Sequence, residues 1–226
     1  MKLISTIVIG ILLLTSPGIA YSKIEHNRFV KSNSIVKKHH RISRNSAVKV
    51  ITKNGHGSGT YIIIYQKAYV LTAAHVVEDC SVVAIRAGKE VVVGEIIFNS
   101  MSQDISLIKI PRLKFKKPRE LIDPGQNKLE IGEELVYSGY PASYNLLTSG
   151  AQISGTRKNA YILQGFAWPG SSGSGAIGKK GKIVGVVYAI GIQRKQLIET
   201  LVYMEPITIK TWKEINEALK LSHKSK

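Results

Sequence analysis

From Ala47 onwards, short apolar runs rich in Val, Ile, Thr and Tyr recur at regular spacing, with turn residues between them. Such runs are typical of β-strands. A parallel α/β sheet would need helices of about 10–15 residues between the strands, and the pattern contains none before Pro206. Beyond that proline, apolar residues at three- and four-residue steps predict one amphipathic helix over about 207–221. The pattern therefore predicts an all-β body, a barrel or sandwich pair, followed by a C-terminal helix.

The first twenty residues have a different pattern. Lys2 is followed by an apolar run from Leu3 to Leu14, and the segment ends in small residues up to Ala20. This arrangement predicts a signal peptide over 1–20 that is cleaved after Ala20, which would give a secreted or periplasmic protein. An uncleaved membrane anchor is the alternative, although Pro17 interrupts a run that would need about 20 apolar residues to span a bilayer.

The segment 21–46 is strongly basic and has little apolar pattern. It contains seven lysines and arginines against one acid, Glu25, and the whole chain carries 32 Lys+Arg against 15 Asp+Glu, a net charge of +17. Blocks of like charge are usually solvated tails, so we predict a flexible arm. A propeptide, or a tether that makes nonspecific contact with a polyanion or an anionic membrane, is the alternative. The single cysteine, Cys80, excludes an intramolecular disulfide framework and a Cys-rich zinc site.

Three polar residues stand where the predicted strands end or where glycines cluster. His75 follows a buried type of run and two alanines, and Asp104 directly precedes an alternating run. An imidazole restrained at the end of a strand suits a general base, and a carboxylate can fix its tautomer. Ser172 lies between glycines, on backbone that can turn sharply and direct N–H groups towards an oxyanion. These types of residue together favour nucleophilic catalysis.

The three segments resemble the signatures of chymotrypsin-fold serine peptidases. The matching segments are Thr72-Ala73-Ala74-His75, Asp104-Ile105-Ser106-Leu107 and Gly170-Ser171-Ser172-Gly173, in the family's order. The style of the motifs is similar to that of short-loop bacterial and viral members, such as HtrA-type proteases and staphylococcal glutamyl endopeptidases. The resemblance covers about residues 47–210. It implies two six-stranded antiparallel β-barrels, with a boundary near 118–128 inside a protease domain over 47–226.

The resemblance also implies a role for each matched position. Ser172 would be the nucleophile, His75 the general base and Asp104 the residue that orients it, and the N–H groups of Gly170 and Ser172 would form the oxyanion hole. The implied partner is a protein or peptide substrate, and no metal or cofactor is required. The residues implied to bind substrate are Phe166, Ala167, Val187, Tyr188, Ala189 and Ile190.

The chain departs from the family's pattern in ways that narrow the expectation. None of the implied pocket residues is acidic, which argues against a preference for Lys or Arg, and Val187 replaces the histidine of glutamyl endopeptidases. We therefore predict a small or medium apolar residue on the acyl side of the cleaved bond. The 23 residues after Tyr203 leave no room for the PDZ domain of HtrA-type proteases. Two other functions stay open: a binding protein on a vestigial protease scaffold, and a membrane-anchored processing protease of viral type.

Overall fold

The first barrel is built from six antiparallel strands that close on themselves. The structure is a computed structural model that describes residues 34–142, 144–193 and 196–224. The strands pair in the order β1-β2-β3-β6-β5-β4, and the two outer strands of that order pair with each other. Their bounds are β1 Ala47–Thr52, β2 Gly55–Ile64, β3 Lys67–Thr72, β4 Val82–Ala87, β5 Glu90–Ser100 and β6 Ile105–Lys109.

The second barrel repeats this architecture. Its strands pair in the order β10-β11-β12-β9-β8-β7, and closure again joins the first strand to the last. Two closed six-stranded antiparallel barrels and a C-terminal helix confirm the predicted fold class. The strand bounds are β7 Glu134–Gly139, β8 Leu147–Arg157, β9 Ala160–Gly165, β10 Gly175–Ile177, β11 Ile183–Gln193 and β12 Gln196–Pro206.

Alternating side chains of the strands fill the two barrels. Val50, Val70 and Ile85 are buried in the core of the first barrel, and Ile153 and Val186 are buried in a larger core that also includes inward residues of the second. Burying such side chains removes about 25 cal/mol of unfavourable free energy for each Å² of apolar surface. These cores fix the strands, and the strands fix the loops that carry the polar residues of interest.

The chain crosses between the barrels in the segment after β6 and before β7. This segment contains the predicted boundary at 118–128, and it joins both barrels through single bridges from Arg119 to Ile62 and from Leu121 to Ile183. The C-terminal helix, α2 (Ile209–Lys224), begins two residues later than predicted and ends three residues later. The hydroxyl of Thr208 accepts a hydrogen bond from the N–H of Thr211 and caps the helix.

The basic segment before the first barrel differs from the flexible arm predicted for 21–46. Residues 34–46 form a helix, α1 (Ser34–Ser46). Ile42 packs on the large core, Ser43 and Ser46 are buried, and Arg44 donates hydrogen bonds to Leu146 O and Thr148 Oγ1. The prediction from charge alone did not take into account the apolar contact that Ile42 makes with this core.

The predictions for the N-terminus concern residues that lie mostly outside the described part. The signal peptide over 1–20 and the arm up to residue 33 both fall there. From residue 34 on, none of the described helices is long and apolar enough to cross a membrane.

Candidate active site

His75 and Asp104 come from the ends of two paired strands. β3 and β6 are neighbours in the first barrel, and Thr72 pairs with Ser106. His75 lies three residues after Thr72, in a short 3₁₀ turn over Ala74–Val77, and Asp104 lies two residues before Ser106. Strand pairing therefore brings together two residues that are 29 positions apart. Asp104 has a φ of +46°, a left-handed conformation that Asp tolerates better than most residues.

The imidazole of His75 is held by the carboxylate of Asp104 through two contacts. Nδ1 lies 2.8 Å from Oδ2 and 3.0 Å from Oδ1, and the backbone N–H of His75 donates to Oδ1 at 2.9 Å. A carboxylate can only accept, so Nδ1 carries the hydrogen and Nε2 is left as the acceptor of the neutral ring. The His75 side chain is 39% exposed and that of Asp104 18%. This arrangement leaves Nε2 free to act as a proton acceptor.

The loop that carries Ser172 depends on glycines at two positions. Gly170 has a φ of +98° and Gly173 a φ of +91°, in the region where side chains are strained. Space is also lacking, because a Cβ on Gly173 would lie 2.0 Å from Ser58 O and 2.2 Å from Thr72 Oγ1. The loop therefore lies directly against the first barrel, which only glycine permits at this point.

The N–H groups of Gly170 and Ser172 have no acceptor within the described residues, whereas those of Ser171 and Gly173 donate to Trp168 O and Val187 O. Each of these two N–H groups shares its peptide group with the carbonyl of the preceding residue, and both carbonyls accept a hydrogen bond. Pro169 O accepts from the N–H of Ala142 at 2.6 Å, and Ser171 O accepts from Ser174 Oγ at 2.7 Å.

Because the peptide group is planar and trans, each held carbonyl directs its N–H to the opposite side. The two unused donors of the loop are thus fixed in orientation. They are available to an external acceptor such as a developing oxyanion.

The hydroxyl of Ser172 is directed to the neighbouring strand. Its Oγ donates to the carbonyl of Tyr188 at 3.2 Å. Among the hydrogen bonds of the described residues, none joins Ser172 Oγ to His75. In the conformation described, the Ser172 hydroxyl is therefore paired with the second barrel and not with the imidazole.

Ser58 connects the first barrel to the loop of Ser172 and was given no role by the sequence. It is fully buried in β2. Its hydroxyl donates to Gly170 O at 2.6 Å and accepts from the N–H of Tyr140 at 2.8 Å. Its own N–H donates to Ser172 O at 2.7 Å. The sequence signal is the Gly57-Ser58-Gly59 segment, where flanking glycines indicate a close approach of backbone.

The residues implied to bind substrate are distributed between the core and the surface. Val187 is 1% exposed and belongs to the large core, and Ala167 is likewise buried. Phe166 is 44% exposed, and its carbonyl accepts from Tyr137 Oη at 2.6 Å. Tyr188 is half-buried. Ala189 and Ile190 belong to β11, but their side chains are outside the described part.

Glu205 is a second acid near Asp104 that sequence reasoning missed. It lies on β12, half-buried, and borders a pocket of about 380 Å³ with Tyr188 and Arg157. Burial, and then the charge of Asp104, raise the pKa of Glu205 to about 7. The same neighbours act on Tyr188, whose pKa is raised by burial and then by Glu205 and Asp104. The sequence alone did not single out Glu205, because β12 contains a second acid, Glu199.

The sequence and fold can now be compared with known proteins. The model of the trypsin-like peptidase domain matches residues 57–186, which is more than half of the chain. The chain belongs to this family, and its enzyme class is that of the serine endopeptidases, hydrolases that act on peptide bonds. None of the curated proteins matches the sequence.

Solved structures of serine proteases are similar to this one. An inactive form of Rv3671c from M. tuberculosis H37Rv, a Ser-to-Ala mutant, has a TM-score of 0.60 at 21% identity over 84% of this chain and 90% of that chain. A second inactive form of Rv3671c protease has a TM-score of 0.63 at 20% identity, over 83% and 93% of the two chains. The serine endoprotease from Yersinia pestis has a TM-score of 0.67 at 17% identity, over 81% and 66%. At sequence identities this low, the similarity shows that the fold is shared.

Proposed function

We propose that the chain is an exported serine endopeptidase in which Ser172, His75 and Asp104 act as a catalytic triad. The observation that carries the proposal is the coincidence of two features. One is the Nδ1 contact of His75 with Asp104 at 2.8 Å, and the other is the pair of unused N–H groups, Gly170 and Ser172, on the loop of the serine itself. Base, nucleophile and oxyanion donors are the parts that acyl transfer needs.

The first step is a rotation of the Ser172 side chain from Tyr188 O towards Nε2 of His75. The oxygen then attacks the substrate carbonyl carbon while its proton passes to Nε2, and Asp104 stabilises the imidazolium. The N–H groups of Gly170 and Ser172 stabilise the oxyanion, and loss of one such donor costs about 3–4 kcal/mol in comparable sites. The imidazolium gives its proton to the leaving amine, which leaves an acyl group on Ser172.

Deacylation repeats these steps with water. His75 takes a proton from the water, whose oxygen attacks the acyl carbon, and the proton returns to Ser172 Oγ as the acid leaves. When the hydroxyl turns away, Tyr188 O loses its donor. We expect an N–H group of the bound substrate to take this place. No step of this mechanism needs a metal or a cofactor. That the reaction proceeds without either one is still a prediction.

The proposed preference is for a small or medium apolar residue on the acyl side. Burial of Ala167 and of Val187 in apolar surroundings supports it, because a charged substrate side chain there would lose its hydration without a partner. Phe166, which is partly exposed, would contribute an apolar surface. A peptide series varied at that one position measures the preference, and cleavage restricted to Lys, Arg or Glu would contradict it.

Labelling with a fluorophosphonate tests the triad. The probe reacts with a serine that a base activates, so we expect the full chain to be labelled and the Ser172→Ala and His75→Ala variants to be unlabelled. Ser154→Ala is the matched control, because this serine is exposed on β8 and should leave labelling unchanged. Absence of label from folded wild-type protein would refute the proposal and favour a binding role on a protease scaffold.

Export is tested separately, by N-terminal sequencing of the protein made in its host. A chain that begins at Tyr21 would agree with cleavage after Ala20, and a chain that begins at Met1 would indicate the anchor instead. Contact of the basic arm with an anionic surface is likewise proposed, on the strength of its charge. Fractionation of cells in low and high salt would measure it.

A further inference from the structure

A basic cleft opens where α1, the segment between the barrels and the turn from β10 to β11 meet. Its volume is about 520 Å³, within the range of small-molecule sites. None of the proposed triad residues borders it. Five lysine and arginine side chains line the cleft, against one acid among its described residues, Glu120. The five are Lys38, Arg119, Lys179, Lys180 and Lys182.

The positive charges of this basic cleft are only partly neutralised by the protein. Lys182 Nζ lies 2.9 Å from a Glu120 oxygen, and Lys179 Nζ lies 3.9 Å from a Glu133 oxygen. Lys180 Nζ donates to the neutral Gln126 Oε1. Within the described residues, the side chains of Lys38 and Arg119 have neither a salt bridge nor a hydrogen bond. Charge complementarity is therefore left for a ligand to supply.

One buried atom of Arg119, a residue that lines the basic cleft, lacks an acceptor. Arg119 Nε is buried and has no hydrogen-bond partner in the part of the chain described. An unsatisfied buried donor costs about 1–3 kcal/mol, more when it is charged, and such donors are rare unless water or an ion serves them. His39 also lines the cleft. Burial, and then the positive charges of Lys38 and His40, lower the pKa of its imidazole.

We propose that the basic cleft binds a compact polyanion, a short chain of adjacent phosphate groups. Phosphate oxygens accept several hydrogen bonds each, and arginine together with lysines from different segments is the set of donors that surrounds them. The five cations surround one cavity of about 520 Å³. This shape suits a short soluble chain better than a nucleic acid duplex or a membrane, which present their charges over an extended surface.

Calorimetric titration of the full chain with inorganic tripolyphosphate tests the proposal without any reading of peptidase activity. We expect saturable binding of one equivalent. The double variant Lys38→Gln/Lys180→Gln should weaken the affinity at least tenfold, and Arg119→Gln should also weaken it. The matched control is Lys67→Gln/Lys89→Gln, which removes two charges from exposed hairpin residues of the first barrel and should change the affinity less than twofold.

Three results would overturn the proposal. Equal weakening in both double variants would show diffuse attraction by net charge. Absence of saturable binding in folded wild-type protein would show that the cleft does not recognise phosphate. Tighter binding, per phosphate, of a DNA duplex or of phosphatidylglycerol vesicles than of tripolyphosphate would identify an extended anionic surface as the ligand. Each result is independent of whether Ser172 is the nucleophile.

Discussion

The hydroxyl of Ser58 forms hydrogen bonds with two peptide groups that are far from it in the sequence. It accepts from Tyr140 and donates to Gly170, and the latter residue lies 112 positions along the chain. Gly170 carries one of the unused N–H groups, so the position of this donor depends on a buried serine of the other barrel. A displacement of about 1 Å at such a donor can cost a hundredfold in rate.

We therefore expect Ser58→Ala to lower kcat about 10- to 100-fold while KM changes little, because the loop of Gly170 loses its anchor and the oxyanion is stabilised less well. Steady-state kinetics with a peptide substrate would measure kcat and KM separately. Ser46→Ala is the control, since this buried hydroxyl bonds only within α1. A Ser58→Ala enzyme with unchanged kcat would show that the loop is held in other ways.

Glu205 makes the free energy of unfolding decrease as the pH rises, which is the reverse of the usual effect of an acidic side chain. Its folded-state pKa of about 7 lies above the ordinary glutamate value of 4.5, so the folded protein holds an extra proton between these pH values. Stability then falls as the pH rises through this window. Because the group is half-exposed, we expect wild-type protein to lose on the order of 1 kcal/mol relative to Glu205→Gln between pH 4.5 and 8.

Urea unfolding at pH 5 and pH 8 measures this difference. Glu130→Gln, at an exposed acid far along the chain from Glu205, is the control and should follow the wild-type protein at both pH values. A difference between wild type and Glu205→Gln that is the same at both pH values would contradict the assignment to Glu205.

At the scale of the element, α1 packs on the second barrel. Ile42 packs on the large core, and Arg44 reaches the start of β8. The helix thus belongs to the folded domain even though its sequence is dominated by cations.

Truncation of this apolar contact should weaken the domain measurably. We expect Ile42→Ala to lower the free energy of unfolding by about 1–2 kcal/mol, less than for a fully buried isoleucine. Arg41→Ala, at an exposed position of the same helix, should stay within about 0.5 kcal/mol of wild type. Chemical denaturation compares the two. Equal effects would mean that Ile42 contributes no more than the helix surface does.

The whole molecule carries a net charge of +17, which stores repulsion in the compact state. Salt screens this repulsion over a Debye length of about 8–10 Å at physiological strength. We expect the Tm to rise by a few degrees between about 20 and 300 mM NaCl, as measured by circular dichroism. The Lys67→Gln/Lys89→Gln variant should show a smaller rise. A Tm that falls with salt would show that ion pairs such as Lys182–Glu120 outweigh the repulsion.

The sequence by itself determined the strands and the order of the chemical motifs. Residues such as Val70 and Ile85 favour strands through local shape and burial, and the glycines beside Ser172 are needed by the turn itself. β10 has only three residues, which are too few to show the period of two that identifies a strand in a sequence. The flexible arm was predicted to extend too far along the chain, because the many charges in 34–46 concealed the apolar contact of Ile42.

Only the tertiary structure decided which distant groups meet. In the folded protein, Ser58 forms a hydrogen bond with Gly170, and the Ser172 hydroxyl forms one with Tyr188 O. Glu205 lies near Asp104, and the cations of the basic cleft line one cavity. Local propensity acts over a few residues, whereas these contacts depend on the closure and packing of two barrels. Hydrogen-bond geometry and desolvation are set by that packing, so no reading of neighbouring residues could supply them.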